Sequence, residues 1–408
     1  MRIDNAERVR LLHWLYAGEL LTGCGTTLLG CILPALISTW HMSDARAGML
    51  FAAQFAGSSF GALLVSHDYF KSLTRGFCLM IAGALAIAVF ANANHAFLIF
   101  IFLVFGLGLG LTMTAISMLA SSVFSERRGS VLSLLNAYWG LGAVACPMLA
   151  TLWIRRGRPE TLFVGLAIAS SVVLVASRRR SRASLFARTT PASAGTAPLP
   201  LRPILSFAVV AFLYVGVEAS VSGWMMSYVH RLTVSQYFLP PIAASCFWIA
   251  LICGRALAPA LLRRISEANL LAVSMLAAFV GLLLLLLNRS PLGVVLSVAP
   301  AGLALGPIFP LCLAKVLALA NDSPSTKWVF ATAGLGGALM PWLTGNLSTR
   351  GGSLRTGLTI PLFALGTMLV LSVWQMVLER GESEDGGVRG HATVTPAAEV
   401  ATAQSSQP

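Results

Sequence analysis

Charge is the scarcest thing in this sequence. Of its 408 residues only 11% are charged, and only 15 are acidic. A soluble chain carries about a quarter charged residues, so an ordinary soluble domain is excluded. The seven cysteines (Cys24, Cys31, Cys78, Cys146, Cys246, Cys253 and Cys312) include no Cys-x-x-Cys pair. That argues against a disulfide framework or a structural metal, and they read as small packing residues. There is no Gly-x-Ser-x-Gly elbow, no phosphate loop and no histidine cluster with ligand spacing. "GLGLG" at Gly106–Gly110 is not a dinucleotide fingerprint, because no strand precedes it. No enzyme activity, cofactor or metal is expected. The formal net charge of +13 would suit nucleic acid. The arginines responsible lie in loops between apolar runs, so the expected partner is a lipid bilayer and not nucleic acid.

What the chain has is length of apolar run; 57% of its residues are hydrophobic. A spanning helix needs roughly 20 apolar residues, whereas a barrel would alternate in segments of about ten. The runs are too long for a barrel. The expectation is an all-α membrane protein of twelve spans, at 11–37, 46–66, 76–92, 96–124, 130–154, 161–177, 204–230, 238–262, 268–288, 291–320, 325–348 and 354–378. These form two six-helix bundles, residues 11–177 and 204–378. Residues 1–10 are an N-terminal tail, and 178–203, rich in Arg, Ser, Ala and Pro, a linker. Residues 379–408 form a polar tail expected to be disordered. The first run follows Arg8 and Arg10 as in a signal peptide, but it is too long, holds Glu19 and lacks a small-residue cleavage site. Lys and Arg crowd the segments on the N-terminal side of the membrane, which puts both termini in the cytoplasm, most naturally of a bacterial inner membrane. Arg155, Arg156 and Arg158 break that trend.

Two acids lie deep in spans. Glu218 sits within "AFLYVGVEASVSGWMMSYVH" (Ala211–His230), and Glu19 within "LYAGELLTG" (Leu15–Gly23). An ionisable group at that depth is costly and marks a functional site. The surrounding residues repeat. Tyr16 pairs with Tyr214, Gly57 with Gly254, Gly106 with Gly302, and Gly140 with Gly334, at offsets of 198, 197, 196 and 194. "GLGAVACP" (Gly140–Pro147) and "GLGGALMP" (Gly334–Pro341) place proline at the same distance from the first glycine. Two parallel copies with a site between them is a transporter architecture.

With these residues in view, the chain resembles the major facilitator superfamily. "LNAYWGLGAVACP" (Leu135–Pro147) and "YVGVEASVSGWMMSY" (Tyr214–Tyr228) are similar to spans five and seven of its fucose–proton symporter and sugar-transporter branch. The resemblance implies uptake of a sugar with protons by alternating access. Two features depart from it. In "GALLVSHDYFKSLTRG", Val65 holds the position of the superfamily's loop aspartate, and Asp68 comes three residues late. Span four has no acid, where the symporter branch carries one.

Glu218 and Glu19 are the expected proton-coupling acids; each could instead be a structural acid, and Glu19 could pair with His13. Asn136, with its paired donor and acceptor, and the rings of Tyr138 and Trp139 suit a sugar's hydroxyls and apolar face. Gln54, Trp224 and Trp248 are further candidate binding residues. The competing reading of all six is helix packing, polar clamps or an aromatic belt. Gly106, Gly110, Gly140, Gly142, Gly254, Gly334 and Gly336 allow close helix approach, and Pro147 and Pro341 allow bending. Arg255 joins them as a gating residue near a cytoplasmic helix end. The favoured function is a secondary transporter of a small polar solute, a sugar with protons. An exporter of amphipathic compounds and a non-transporting receptor are the alternatives.

Overall fold

The computed structural model describes residues 5–178, 201–232, 238–320 and 326–374. The expected tail 379–408 and most of the expected linker, residues 179–200, lie outside them. Among the described residues all regular structure is helical. The first half holds α1 (Asn5–Thr39), α2 (Asp44–Leu63), α3 (Tyr69–Val89), α4 (His95–Val123), α5 (Arg128–Ile154) and α6 (Thr161–Arg178). The second holds α7 (Leu201–Leu232), α8 (Leu239–Leu261), α9 (Glu267–Leu287), α10 (Pro291–Leu305), α11 (Ile308–Ala320) and α12 (Thr326–Gly351). A four-residue α13 (Leu354–Gly357) opens the last span, Leu354–Trp374.

These helices make twelve crossings. Nine apolar segments are long enough to span a bilayer among the described residues, with α10 and α11 forming one of them across a break. The break falls at Gly306–Pro307, where proline lacks the backbone N–H that would continue the ladder. Helix starts follow side-chain caps. Ser43, Asp68, Asn94, Ser266 and Ser290 each accept a hydrogen bond from a backbone N–H in the first turn. Asp68 explains why α3 begins seven residues before the apolar run does. It caps the helix and pairs with Lys71 at 3.3 Å, so it does not take the place of the loop aspartate that Val65 displaces.

The packing repeats with the sequence. In the first half α2 and α3 pack on α4 and α1 packs on α5; in the second α8 and α9 pack on α10 and α7 packs on α12. Between halves, α2 meets α12, α5 meets α8 and α1 meets α7. Exchanging the two halves turns the first contact into the second and leaves the third unchanged, as a pseudo-twofold axis requires. Glycines make this possible. A Cβ at Gly106 or Gly110 would overlap the carbonyl oxygens of Gln54 or Ser58 on α2, and one at Gly254 would overlap that of Leu303 on α10.

The two Gly-Leu-Gly motifs divide their work. Residues two apart point to opposite sides of a helix. Gly142 and Gly336 face backbone of their own half, at Leu20 and Phe212. Gly140 and Gly334 face the other half, at Ile252 and Ser59. Pro147 and Pro341 lie inside the same two helices. Outward-facing Phe100, Ile168, Leu296, Phe363 and Val370 are exposed, as lipid-facing surface would be.

Gly110→Val is expected to force α2 and α4 apart and cost about 1–3 kcal/mol, read as a lowered Tm in detergent. Gly129→Ala, with open space around it, serves as control and leaves Tm unchanged.

Candidate transport cavity

A cavity of about 210 Å³ lies between the halves. The first half contributes Thr26, Thr27, Phe51 and Trp139; the second contributes Glu218, Ser222 and Trp248. Its charged corner is built by α7 and α8. Tyr214 and Glu218 are four residues apart and so share one face of α7. The Tyr214 hydroxyl donates to Glu218 Oε2 at 2.6 Å, and Arg255 Nη2 donates to the same oxygen at 2.9 Å. Arg255 also reaches the Tyr214 hydroxyl at 3.4 Å. Both donors converge on Oε2, which leaves Oε1 without a protein partner among the described residues. Tyr214 is itself stacked on Phe309, 5.6 Å between ring centroids.

Two tryptophans meet across the seam. The rings of Trp139 and Trp248 are edge to face, 5.3 Å apart, and Trp139 Nε1 is buried without an acceptor. The hydroxyls of Thr26, Thr27 and Ser222 donate to carbonyls of their own helices, so their lone pairs remain free to accept.

The cavity is closed at the end opposite the start of α1, called here the far end. Trp224 is fully buried there against Phe51, and its Nε1 donates to the Pro341 carbonyl at 3.0 Å. Beyond it Arg231 of α7 grips Asp44 of α2 through two bonds, 2.8 and 2.5 Å. Ser348 of α12 donates to the same carboxylate, and the Ala45 N–H donates to Thr349 Oγ1 at 2.8 Å. The Arg155 guanidinium lies 5.7 Å from the Phe238 ring on the other side of the seam. Toward the near end the α5–α8 seam parts: Asn136 and Ala137, a turn beyond Trp139, are exposed.

The expected site residues separate into groups. Glu218, Trp139 and Trp248 line the cavity, as does Gly334. Arg255, expected as a gating residue, is the cation of the Glu218 pair, because α8 carries it into reach of α7. Asn136 does not line the cavity: it is exposed, and its Nδ2 donates to the Leu132 carbonyl on its own helix. Tyr138 stacks on Tyr16 at 4.6 Å instead of facing the cavity. Gln54 is buried and clamps α2 to α1 through the Thr26 carbonyl at 3.0 Å. Trp224 is fully buried against Phe51 and is not among the residues that line this cavity. Glu19 is 4% exposed, lies outside the cavity wall, and its Oε2 has no partner. His13 Nδ1 bonds the Val9 carbonyl, and no ion pair joins His13 to Glu19 among the described residues.

Sequence reasoning does not single out Thr26, Thr27, Ser222 or the hydrogen bond that Tyr214 donates to Glu218. The Tyr214/Glu218 spacing was the signal that could have found the last of these. The Asp44–Arg231 pair carries no local signal, since its members are 187 residues apart.

Removing one member of a buried pair strands the other. Glu218→Gln and Arg255→Gln are each expected to lower Tm, and the double variant to recover part of the loss. Both side chains retain some exposure, 16% and 25%, which limits the coupling to about 1–2 kcal/mol. Additive losses in the double-mutant cycle would contradict the pairing.

Comparison with known proteins agrees with the twelve-helix architecture. A curated relative, the glucose/mannose transporter GlcP of Bacillus subtilis (strain 168), is 22% identical over 335 residues, covering 78% of this chain and 82% of the relative. Among solved structures, a point mutant of the nucleoside transporter NupG superposes with a TM-score of 0.69 at 15% identity, covering 90% of this chain and 99% of that one. A point mutant of the E. coli fucose:proton symporter FucP gives 0.57 at 15% identity, covering 89% and 98%. At such identities the structural matches speak for the fold. Residues 15–327 match the family described as Major Facilitator Superfamily, and the chain belongs to that family of membrane transporters.

Proposed function

We propose that this transporter takes up a small polar solute, a sugar, together with protons by alternating access, with both termini in the cytoplasm of a bacterial inner membrane. The observation that carries the reading is the cavity between the halves, with its charged corner and tryptophan pair. Its volume, about 210 Å³, falls below the roughly 300–1,000 Å³ of pockets for drug-sized ligands. That favours a small solute over the amphipathic cargo of an exporter. Glu218 Oε1, the lone pairs of Thr26, Thr27 and Ser222, and the unpaired Trp139 Nε1 offer acceptors and a donor to hydroxyl groups. The indole faces suit the apolar side of a pyranose. The Bacillus subtilis relative's description as a glucose/mannose transporter supports the same substrate class.

The two deep acids take different parts. Glu218 already has a cation and touches the cavity, so it binds substrate and couples its arrival to the α7–α8 corner. Glu19 has no cation beside it among the described residues, and an unpaired buried charge is costly. It therefore carries a proton in this closed setting and releases it when the rocking halves let water in.

In proteoliposomes, an imposed pH gradient is expected to drive sugar accumulation. Glu19→Gln should abolish accumulation while leaving downhill exchange; Glu218→Gln should weaken binding and slow both. Gradient-driven accumulation unchanged in Glu19→Gln would remove the proton role. A pocket that binds lipophilic dyes and no sugar would favour export instead.

A further inference from the structure

A second cavity, about 320 Å³, opens at the far end beside the Asp44–Arg231 pair. It is lined by Tyr228, Arg231, Ser353 and Arg355, and it lies apart from the substrate cavity. Two guanidiniums therefore face one small volume. Arg355 is held in place by Nη2 donating to the Asn288 carbonyl at 2.9 Å and Nε donating to the Tyr228 hydroxyl at 3.4 Å. Both partners are neutral. The one carboxylate beside them among the described residues is Asp44, which reaches Arg231 alone, from the other half of the molecule.

That arrangement has a consequence for a molecule whose halves separate. When α2 moves away from α7, Asp44 leaves with it, and Arg231 loses its carboxylate while it stays beside Arg355 on the second half. Paired guanidiniums are well matched to phosphate-type oxyanions, which accept several charge-assisted hydrogen bonds in a fork geometry. The Tyr228 and Ser353 hydroxyls supply neutral donors at the same wall.

We propose that this cavity is a binding site for a phosphate-class oxyanion, which competes with Asp44 for Arg231 and so favours the conformation open at the far end. The occupant is a free phosphate or a phospholipid headgroup; the recognition chemistry is the same. The competition rests on the alternating-access reading, whereas binding at the two arginines does not.

The test uses the purified full chain in nanodiscs, without substrate or gradient. Inorganic phosphate is titrated at constant ionic strength against chloride, in zwitterionic lipid, with thermal stability as the readout. Wild-type protein should be stabilised saturably. Arg355→Gln should bind phosphate at least about tenfold more weakly, the loss of one charge-assisted bond. Asp44→Asn, which removes the competitor and keeps both arginines, should bind it more tightly than wild type. A matching set in anionic lipid distinguishes the sources: if the headgroup is the ligand, anionic lipid stabilises wild type over Arg355→Gln and blunts the phosphate response. Phosphate and anionic lipid indistinguishable from chloride and zwitterionic lipid, or equal responses in wild type and Arg355→Gln, would overturn the site. If Arg355→Gln does not fold, an unchanged phosphate affinity in Asp44→Asn overturns the competition. Sugar uptake in proteoliposomes remains a separate readout, so failure here leaves the transport reading standing.

Discussion

A carboxylate and a guanidinium can be kept deep in a bilayer protein only against each other, and this structure depends on the pair Glu218–Arg255. Each alone would have to shed its charge or draw in water. Together, with the Tyr214 hydroxyl on the same oxygen, they form a polar corner at the wall of a cavity otherwise lined by aromatic and small residues. The corner belongs entirely to the second half. The opposing wall, with Thr26, Thr27, Phe51 and Trp139, belongs to the first. A ligand between them touches both halves, so its binding energy can act on their relative position.

The far-end contacts fit that division. Asp44 and Arg231 join α2 to α7, and Trp224 with Phe51 plugs the path beneath. These are contacts between halves, made by side chains, on a seam whose backbones come close at glycine. Gly30 faces the Gly223 backbone, and Gly48 faces Trp342. Packing of this kind through small residues gives close contact without interlocking side chains, which suits surfaces that must part. The structure thus combines a tight seam at one end with exposed Asn136 and Ala137 on α5 toward the other.

Much of the architecture was legible because it is written in local periodicity. Apolar run length gave the spans, and the offsets of Gly57, Gly106 and Gly140 from their partners gave the duplication that the α2–α4 and α8–α10 packing repeats. The site was legible only in part. Glu218, Trp139 and Trp248 line the cavity because they lie on central helices at its depth. Asn136 is equally suitable by type and shares a helix face with Trp139, but it lies a turn nearer the start of α5, outside the cavity lining, where its own helix takes its donor. Composition alone does not reveal the partner of Arg255. It lies near the end of α8, yet a long side chain can reach back along the helix to Glu218. Pairing between residues of different helices, as for Asp44 and Arg231, has no trace in spacing and emerges only from the packed fold.

The central claim is that the far-end seam opens as the halves rock about the cavity. Spin labels at Arg46 on α2 and Arg350 on α12, both exposed, would report it through their distance distribution. The account predicts a short-distance population matching this closed seam and a second, longer one, with their ratio shifting on addition of sugar or a change of pH. A single narrow distance under every condition would contradict it.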